Sequence, residues 1–185
     1  MKIELPKPDL SKESLKLLSE RKTTREFLSE ELNLQTISEL LWAAFGINRE
    51  DKRRTAPTAR NMQEIELFAV TTKGVYFYDA ENNSLLLVKD GDFRKDTGTQ
   101  DFIGIAPLEI VLVANFNKSE APEEKKFPYA YMNCGYVSQN IYLYCADEHL
   151  ATVARGSVDK ERLSALIGLK SYQHIILVQS VAKPK

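Results

Sequence analysis

Two short stretches of the chain carry the side chains best suited to chemistry. Arg21-Lys22-Thr23-Thr24-Arg25 gathers three cations and two hydroxyls in five residues, a set of charge-assisted donors that suits a phosphate. The same residues also suit a solvated helix terminus, where cations favour the C-terminal dipole. Pro57-Thr58-Ala59-Arg60-Asn61-Met62-Gln63 offers a hydroxyl and amides that can hydrogen-bond a heteroaromatic edge or cap a helix. Motifs with a built-in mechanism are missing: there is no GxGxxG, no GxxxxGK[ST] and no HExxH. His149 and His174 have no nucleophile and acid at a readable spacing, which argues against a hydrolytic triad. Cys134 and Cys145 fall on one helical segment, roughly 16 Å apart along its axis and beyond disulfide reach. His149 follows Cys145 at i+4 without further ligands nearby, so the cysteines read as core residues.

Composition narrows the class. The chain has 185 residues with 25 Lys+Arg against 26 Asp+Glu, a net charge of −1. Such a balance argues against a general nucleic-acid binder, which normally carries a basic surplus. A hydrophobic content of 43% with 28% charged residues excludes wholesale disorder and supplies a sizeable core. No run of apolar residues is long enough to span a bilayer, and the opening MKIELPKPDLSKES lacks a signal-peptide core. One domain over residues 1–185, in the cytoplasm unless an export leader has been removed, is the expectation.

The elements that must position the two stretches follow from periodicity. A first helix starts near Ser11, its expected N-cap, and breaks around residues 21–24, after an extended tail fixed by Pro6 and Pro8. A second runs from Leu34 to Phe45, with Leu34, Ile37, Leu40, Leu41 and Ala44 as its apolar stripe, Asn33 as N-cap and Gly46 at C′. Strands are expected at 65–71, at 74–79 and 84–89 as a hairpin, and at 108–116, where LEIVLVANF is nearly continuous apolar sequence suited to a central strand. A short helix is expected at 92–97 and a charged loop at 117–128. A long Tyr-rich helix follows at 129–150, a short strand or loop at 152–158, a helix at 159–167 ending at Gly168, and a last strand at 174–181. With few clean βαβ units, this order favours an α+β layer fold.

Taken together, five segments in order carry a resemblance. Arg21-Lys22-Thr23-Thr24-Arg25-Glu26-Phe27 resembles the R-x-[ST]-x-[RK]-x-[FY] opening of the nitroreductase family of FMN-dependent oxidoreductases. Leu40-Leu41-Trp42-Ala43-Ala44-Phe45-Gly46-Ile47-Asn48 is similar to its LLWAAxGIN segment, and residues 54–63 to its P-[ST]-x-x-N-x-Q segment. Residues 134–143 resemble its G-x-x-x-Q-N-x-x-L core helix, and residues 150–156 with 163–169 the strand, turn and helix after it. The matches span roughly residues 15–182, and the LLWAAxGIN wording leans toward the compact branch that includes SagB-like dehydrogenases.

The resemblance implies an α+β fold with a mostly antiparallel central sheet flanked by helices, in an intertwined homodimer that binds FMN non-covalently at the subunit interface. It places Arg21 and Thr23 at the phosphate and ribityl end, with Lys22 contributing backbone, and Arg25 at the pyrimidine edge. A cation there favours charge that develops on reduction. Pro57, Thr58, Ala59 and Asn61 come from the partner subunit, the backbone of Arg155 and Gly156 approaches flavin N5, and Lys183 joins the phosphate. No side chain is implied as acid or nucleophile, since the flavin carries the hydride from NAD(P)H to a nitroaromatic, a quinone or another small acceptor in ping-pong fashion. Neither a metal, a nucleic acid nor a membrane is implied. Ala151 stands where the family turn usually has Gly, and Arg155 is bulky beside the N5 position. Three competing readings follow: a SagB-like dehydrogenase or oxidase of a heterocycle in a modified peptide, a flavin-binding protein without turnover because Arg155 crowds N5, and an anion or nucleic-acid module built on residues 49–60.

Overall fold

A computed structural model of the chain describes residues 2–100 and 102–185. The helices are α1 (Glu13–Glu20), α2 (Leu34–Phe45), α3 (Glu123–Asp147) and α4 (Lys160–Ile167). The strands are β1 (Ile65–Val70), β2 (Gly74–Asp79), β3 (Ser84–Asp90), β4 (Leu108–Asn115), β5 (Ala151–Arg155) and β6 (Gln173–Ala182). The strands form one sheet in the order β3-β2-β1-β4-β6-β5, every neighbouring pair antiparallel. The α+β fold with an antiparallel sheet flanked by helices is therefore as the sequence implies.

Alternation along the strands explains the layering. Ile65, Leu67 and Ala69 of β1 and Leu108, Ile110, Leu112 and Ala114 of β4 face one way. They pack under Leu40, Leu41 and Ala44 of α2 and Ala130, Cys134, Val137, Ile141 and Cys145 of α3. Phe68 and Val70 of β1 with Val111 and Val113 of β4 face the other way, onto Leu163 and Ile167 of α4. A strand covered on both faces has no polar side to show, which is why residues 108–115 read as nearly continuous apolar sequence, Glu109 and Asn115 apart.

Several boundaries differ from expectation for local reasons. Ser11 does not cap α1; its N–H and hydroxyl both bond Asp9 Oδ1, and the cap residue is Lys12 with no side-chain bond. Asn33 does cap α2, accepting from the Thr36 N–H at 2.8 Å. Gly46 follows α2 in extended backbone, so its smallness serves space rather than a left-handed turn: a Cβ there would lie 2.4 Å from Trp42 Cδ1. The charged loop at 117–128 is shorter than expected, because α3 begins at Glu123 and carries Pro128 inside it. Asp159 caps α4, and Gly168 ends it at φ 71°, a conformation glycine adopts without a Cβ penalty. Both cysteines are buried and free, and burial pushes the Cys145 thiol up to about 12. Among the described residues no helix is long and apolar enough to cross a membrane, and no group of three or more His, Cys, Asp or Glu is placed to hold a metal ion.

Candidate functional site

The Arg21–Arg25 stretch leaves α1 and lies along the outer edge of β5. The Thr24 N–H donates to the Thr152 carbonyl at 3.0 Å, so an edge strand that would otherwise offer unpaired backbone gains part of a neighbour. Further on, Leu28 N–H donates to Lys183 O, and Phe27 bridges Pro184. Tyr142 of α3 fastens the arrangement: its hydroxyl accepts from the Ala154 N–H at 3.0 Å and bonds Thr23 Oγ1 at 3.1 Å. The Arg21 guanidinium lies over the Tyr142 ring, 5.2 Å from its centroid, a favourable cation–π placement. A cavity of about 640 Å³ opens beside this stretch, lined by Lys22, Thr24, Tyr142, His149 and Lys185 among others. Lys183 pairs with Glu30 Oε1 at 2.5 Å, so its ammonium would have to exchange that carboxylate for a phosphate.

At the end of β5 the chain presents Gly156. A Cβ placed there meets nothing within 4 Å, and its φ is not left-handed. Neither backbone conformation nor crowding within this chain calls for glycine at 156. The side chain of Arg155, bulky beside the position that the resemblance gives to flavin N5, is buried. Its Nη2 donates to Glu109 Oε2 at 2.5 Å, its Nη1 to the Thr97 carbonyl at 2.9 Å and its Nε to Ser180 Oγ at 3.2 Å. Burial pushes the Glu109 carboxyl above its ordinary range, against the pull of Arg155 and Ser180.

The second stretch sits elsewhere. Ala59–Asn61 forms a short 3-10 turn in which Arg60 (φ 53°), Asn61 (φ 55°) and nearby Gln63 (φ 51°) are left-handed. Non-glycine residues in that region carry strain that is held by their surroundings and clusters at functional sites. What holds them is a local network. Thr58 Oγ1 accepts from the Gln63 N–H at 3.0 Å, Gln63 Nε2 donates to Asn61 Oδ1 at 3.1 Å, and Gln63 Oε1 accepts from Arg54 Nε at 2.8 Å. Asn133 of α3 accepts from the Ala59 N–H at 3.3 Å and donates to buried Glu64 at 2.6 Å. Pro57 and Asn61 are exposed.

One chain therefore keeps its two donor sets apart. The first is tied to Tyr142 and the second to Asn133, about 14 Å apart along α3. Around the Asn133 anchor α3 exposes Tyr131, Met132 and Tyr136, and at Gly135 a Cβ would meet nothing within 4 Å. Tyr142, Asn133, Glu64 and Glu109 are not legible in the sequence as site residues. Only Glu109 had a signal, as the one charged residue inside the LEIVLVANF run.

A family model described as the nitroreductase family matches residues 18–183. The chain belongs to the nitroreductase family. Membership in this family implies oxidoreductase activity, and its members are generally flavin-binding and typically dimeric. A protein of Methanocaldococcus jannaschii, provisionally named a nitroreductase, is 27% identical over 187 residues, covering 95% of this chain and 94% of that one. The crystal structure of a Ralstonia eutropha protein, also provisionally named a nitroreductase, is 36% identical with a TM-score of 0.89, covering 98% of this chain and 88% of that one. A chain of the Escherichia coli microcin synthetase McbBCD complex, solved with truncated pro-MccB17 bound, shares the fold at 18% identity and a TM-score of 0.78, covering 99% of this chain and 75% of that one.

Proposed function

We propose that the chain is an FMN-dependent NAD(P)H oxidoreductase of one domain whose sites are completed across a homodimer, with hydride passed in ping-pong fashion to a nitroaromatic, a quinone or another small acceptor. The observation that carries this reading is the open space over Gly156 at the end of a strand flanked by Arg21, Thr23 and Arg25. A glycine that neither φ nor crowding within the chain requires makes room for a group that must come close to the backbone. The donor set fits FMN: guanidinium and hydroxyl groups for the phosphate and ribityl chain, and backbone at Arg155 and Gly156 for the ring. FMN, when bound, supplies hydride acceptance and donation at N5.

The protein residues bind and orient. Arg21 and Thr23 take the phosphate and ribityl end, with Lys22 contributing backbone and Lys183 reaching the phosphate once released from Glu30. Arg25 sets its charge at the pyrimidine edge, stabilising negative charge that grows on reduction. Pro57, Thr58, Ala59 and Asn61 serve the partner's site. Their separation from Arg21 and Thr23 within one chain supports this, as does the exposed apolar stripe of α3 with Gly135 at its centre. A mid-helix glycine costs about 1 kcal/mol relative to alanine, a cost offset where a second helix crosses closely.

The visible spectrum of the purified protein, followed by anaerobic addition of NADH and then NADPH, tests the reading. A yellow protein that bleaches with either is expected; a colourless protein that takes up no added FMN overturns it. A second reading, oxidation of a heterocycle in a modified peptide, draws on the fold shared with the microcin synthetase chain. It expects a yellow protein that stays oxidised with both nucleotides.

A further inference from the structure

The buried pair Arg155–Glu109 reaches from β5 to β4 across β6. The two side chains are 1% and 0% exposed, and Glu109 Oε1 has no hydrogen-bond partner among the described residues. Desolvating two charges cancels most of their attraction, and well-packed apolar residues in place of such a pair are often as stable or more so. The geometry around the guanidinium points to another purpose. Three separate pieces of chain meet on it: Glu109 of β4, Ser180 of β6 and the Thr97 carbonyl. Thr97 ends a short 3-10 turn, Arg94–Thr97, and the residues that follow run beside the end of β5, where Thr99 Oγ1 bonds Ser157 Oγ at 2.8 Å. That segment also makes room for the guanidinium. Gly98 has φ −179°, ordinary extended backbone, yet a Cβ on it would lie 2.1 Å from Arg155 Nη1.

We infer that Arg155 is a positioning residue: its side chain clamps residues 97–99 to the end of β5, so that Gly156 and Ser157 and the segment beside them form one fixed wall of the reaction site. The inference rests on the proposed flavin site for its functional consequence, and on this chain's own contacts for the clamp. Glu109 takes Nη2, Ser180 Oγ takes Nε, and the Thr97 carbonyl takes Nη1. The Cα of Arg155 stays on the strand that the flavin reading sets against N5, which is how one residue can serve both faces of β5.

Two variants separate a positioning role from a purely structural one. Arg155→Met with Glu109→Leu removes both charges together, and Gly98→Ala keeps both charges but drives a methyl into the guanidinium. Urea unfolding and amide hydrogen exchange at residues 97–99 and 156–157 are read without flavin. FMN affinity, the visible circular dichroism of the FMN-loaded protein and the split of kcat from KM with NADH are read with it. In the double variant we expect an unfolding midpoint near wild type, and in both variants faster exchange at 97–99 and 156–157, an altered visible dichroism and hydride transfer slowed about 10- to 100-fold, as a misplacement on the order of 1 Å produces. Wild-type exchange, dichroism and kinetics in Gly98→Ala overturn the inference, whether or not the double variant folds. A wild-type protein that takes up no FMN instead overturns the flavin reading, and exchange at these residues still decides the clamp.

Discussion

The two donor stretches solve opposite problems. Residues 21–25 lie in extended backbone against an edge strand, with Thr23 and Arg21 resting on Tyr142 and the remaining donors turned to solvent. Residues 57–63 fold back on themselves, with three left-handed residues held by Thr58, Arg54 and Asn133. The first stretch keeps donors available and spends little on its own shape. The second uses most of its hydrogen-bonding capacity to keep an unfavourable shape, which leaves the Asn61 amide nitrogen and the exposed backbone as what it can offer a ligand. Substitutions in the first stretch should therefore change ligand binding alone, and those around the second should change stability and binding together.

The sharpest test of this division is complementation. Arg21→Ala and Asn61→Ala chains, each defective as a homodimer, should on mixing and refolding regain FMN uptake at one of the two sites of every mixed dimer, read as recovered flavin absorbance. If both stretches serve a site within one chain, mixing restores nothing. Arg21→Ala by itself should weaken FMN binding by about 1.5–3 kcal/mol, roughly 10- to 150-fold, with loss of a charge-assisted contact, and leave the urea midpoint in place. Asn133→Ala strips the Ala59 N–H and Glu64 of their partner. With a buried carboxylate left unpaired it should cost about 1–3 kcal/mol in unfolding free energy and weaken FMN binding as well. Arg60→Gly suits φ 53° and should leave stability within about 0.5 kcal/mol, whereas Arg60→Val, β-branched at the same φ, should cost about 1–2 kcal/mol.

The smallest effect lies outside both stretches. His174 packs against Phe116 and Phe127, and burial holds its pKa below the ordinary 6.5. The folded protein then binds fewer protons than the unfolded chain between that lowered value and 6.5, so stability should rise with pH through the window and fall as pH drops through it. His174→Phe should flatten that slope, as measured by denaturant midpoints at several pH values.

Legibility in the sequence divides along the same line. The sheet, the order of elements and the apolar stripe of α2 from Ile37 to Ala44 follow from alternation and periodicity, because burial on one or both faces leaves a repeating mark; Leu34, expected in that stripe, is exposed at the first turn. Arg21, Thr23 and Arg25 announce themselves as a dense set of cations and hydroxyls. The direction of the Arg155 side chain does not, because it depends on Glu109, Thr97 and Ser180, which are remote in the chain and meet only once β4, β5 and β6 are paired. Tyr142 and Asn133 are hidden for a similar reason. Each is one polar residue on a long helix packed on several sides, where no simple stripe distinguishes a residue that binds a neighbour's backbone from one that meets solvent. Ser11 shows the opposite failure: a local rule predicts a cap, and an equally local bond to Asp9 displaces it.

The bridge between Phe27 and Pro184, with Leu28 and Lys183 beside it, also bears on how the protein comes into being. The segment after Arg25 is closed by residues that a ribosome makes more than 150 positions later, as the Lys183–Glu30 pair shows. A nascent chain that has already formed α1, α2 and the β1–β2–β3 meander still lacks β6 and β5, and so lacks the edge on which residues 21–25 lie. On the proposed flavin reading, a cofactor would meet no finished pocket until translation has passed Pro184, and it could reward the completed fold but not guide its early steps.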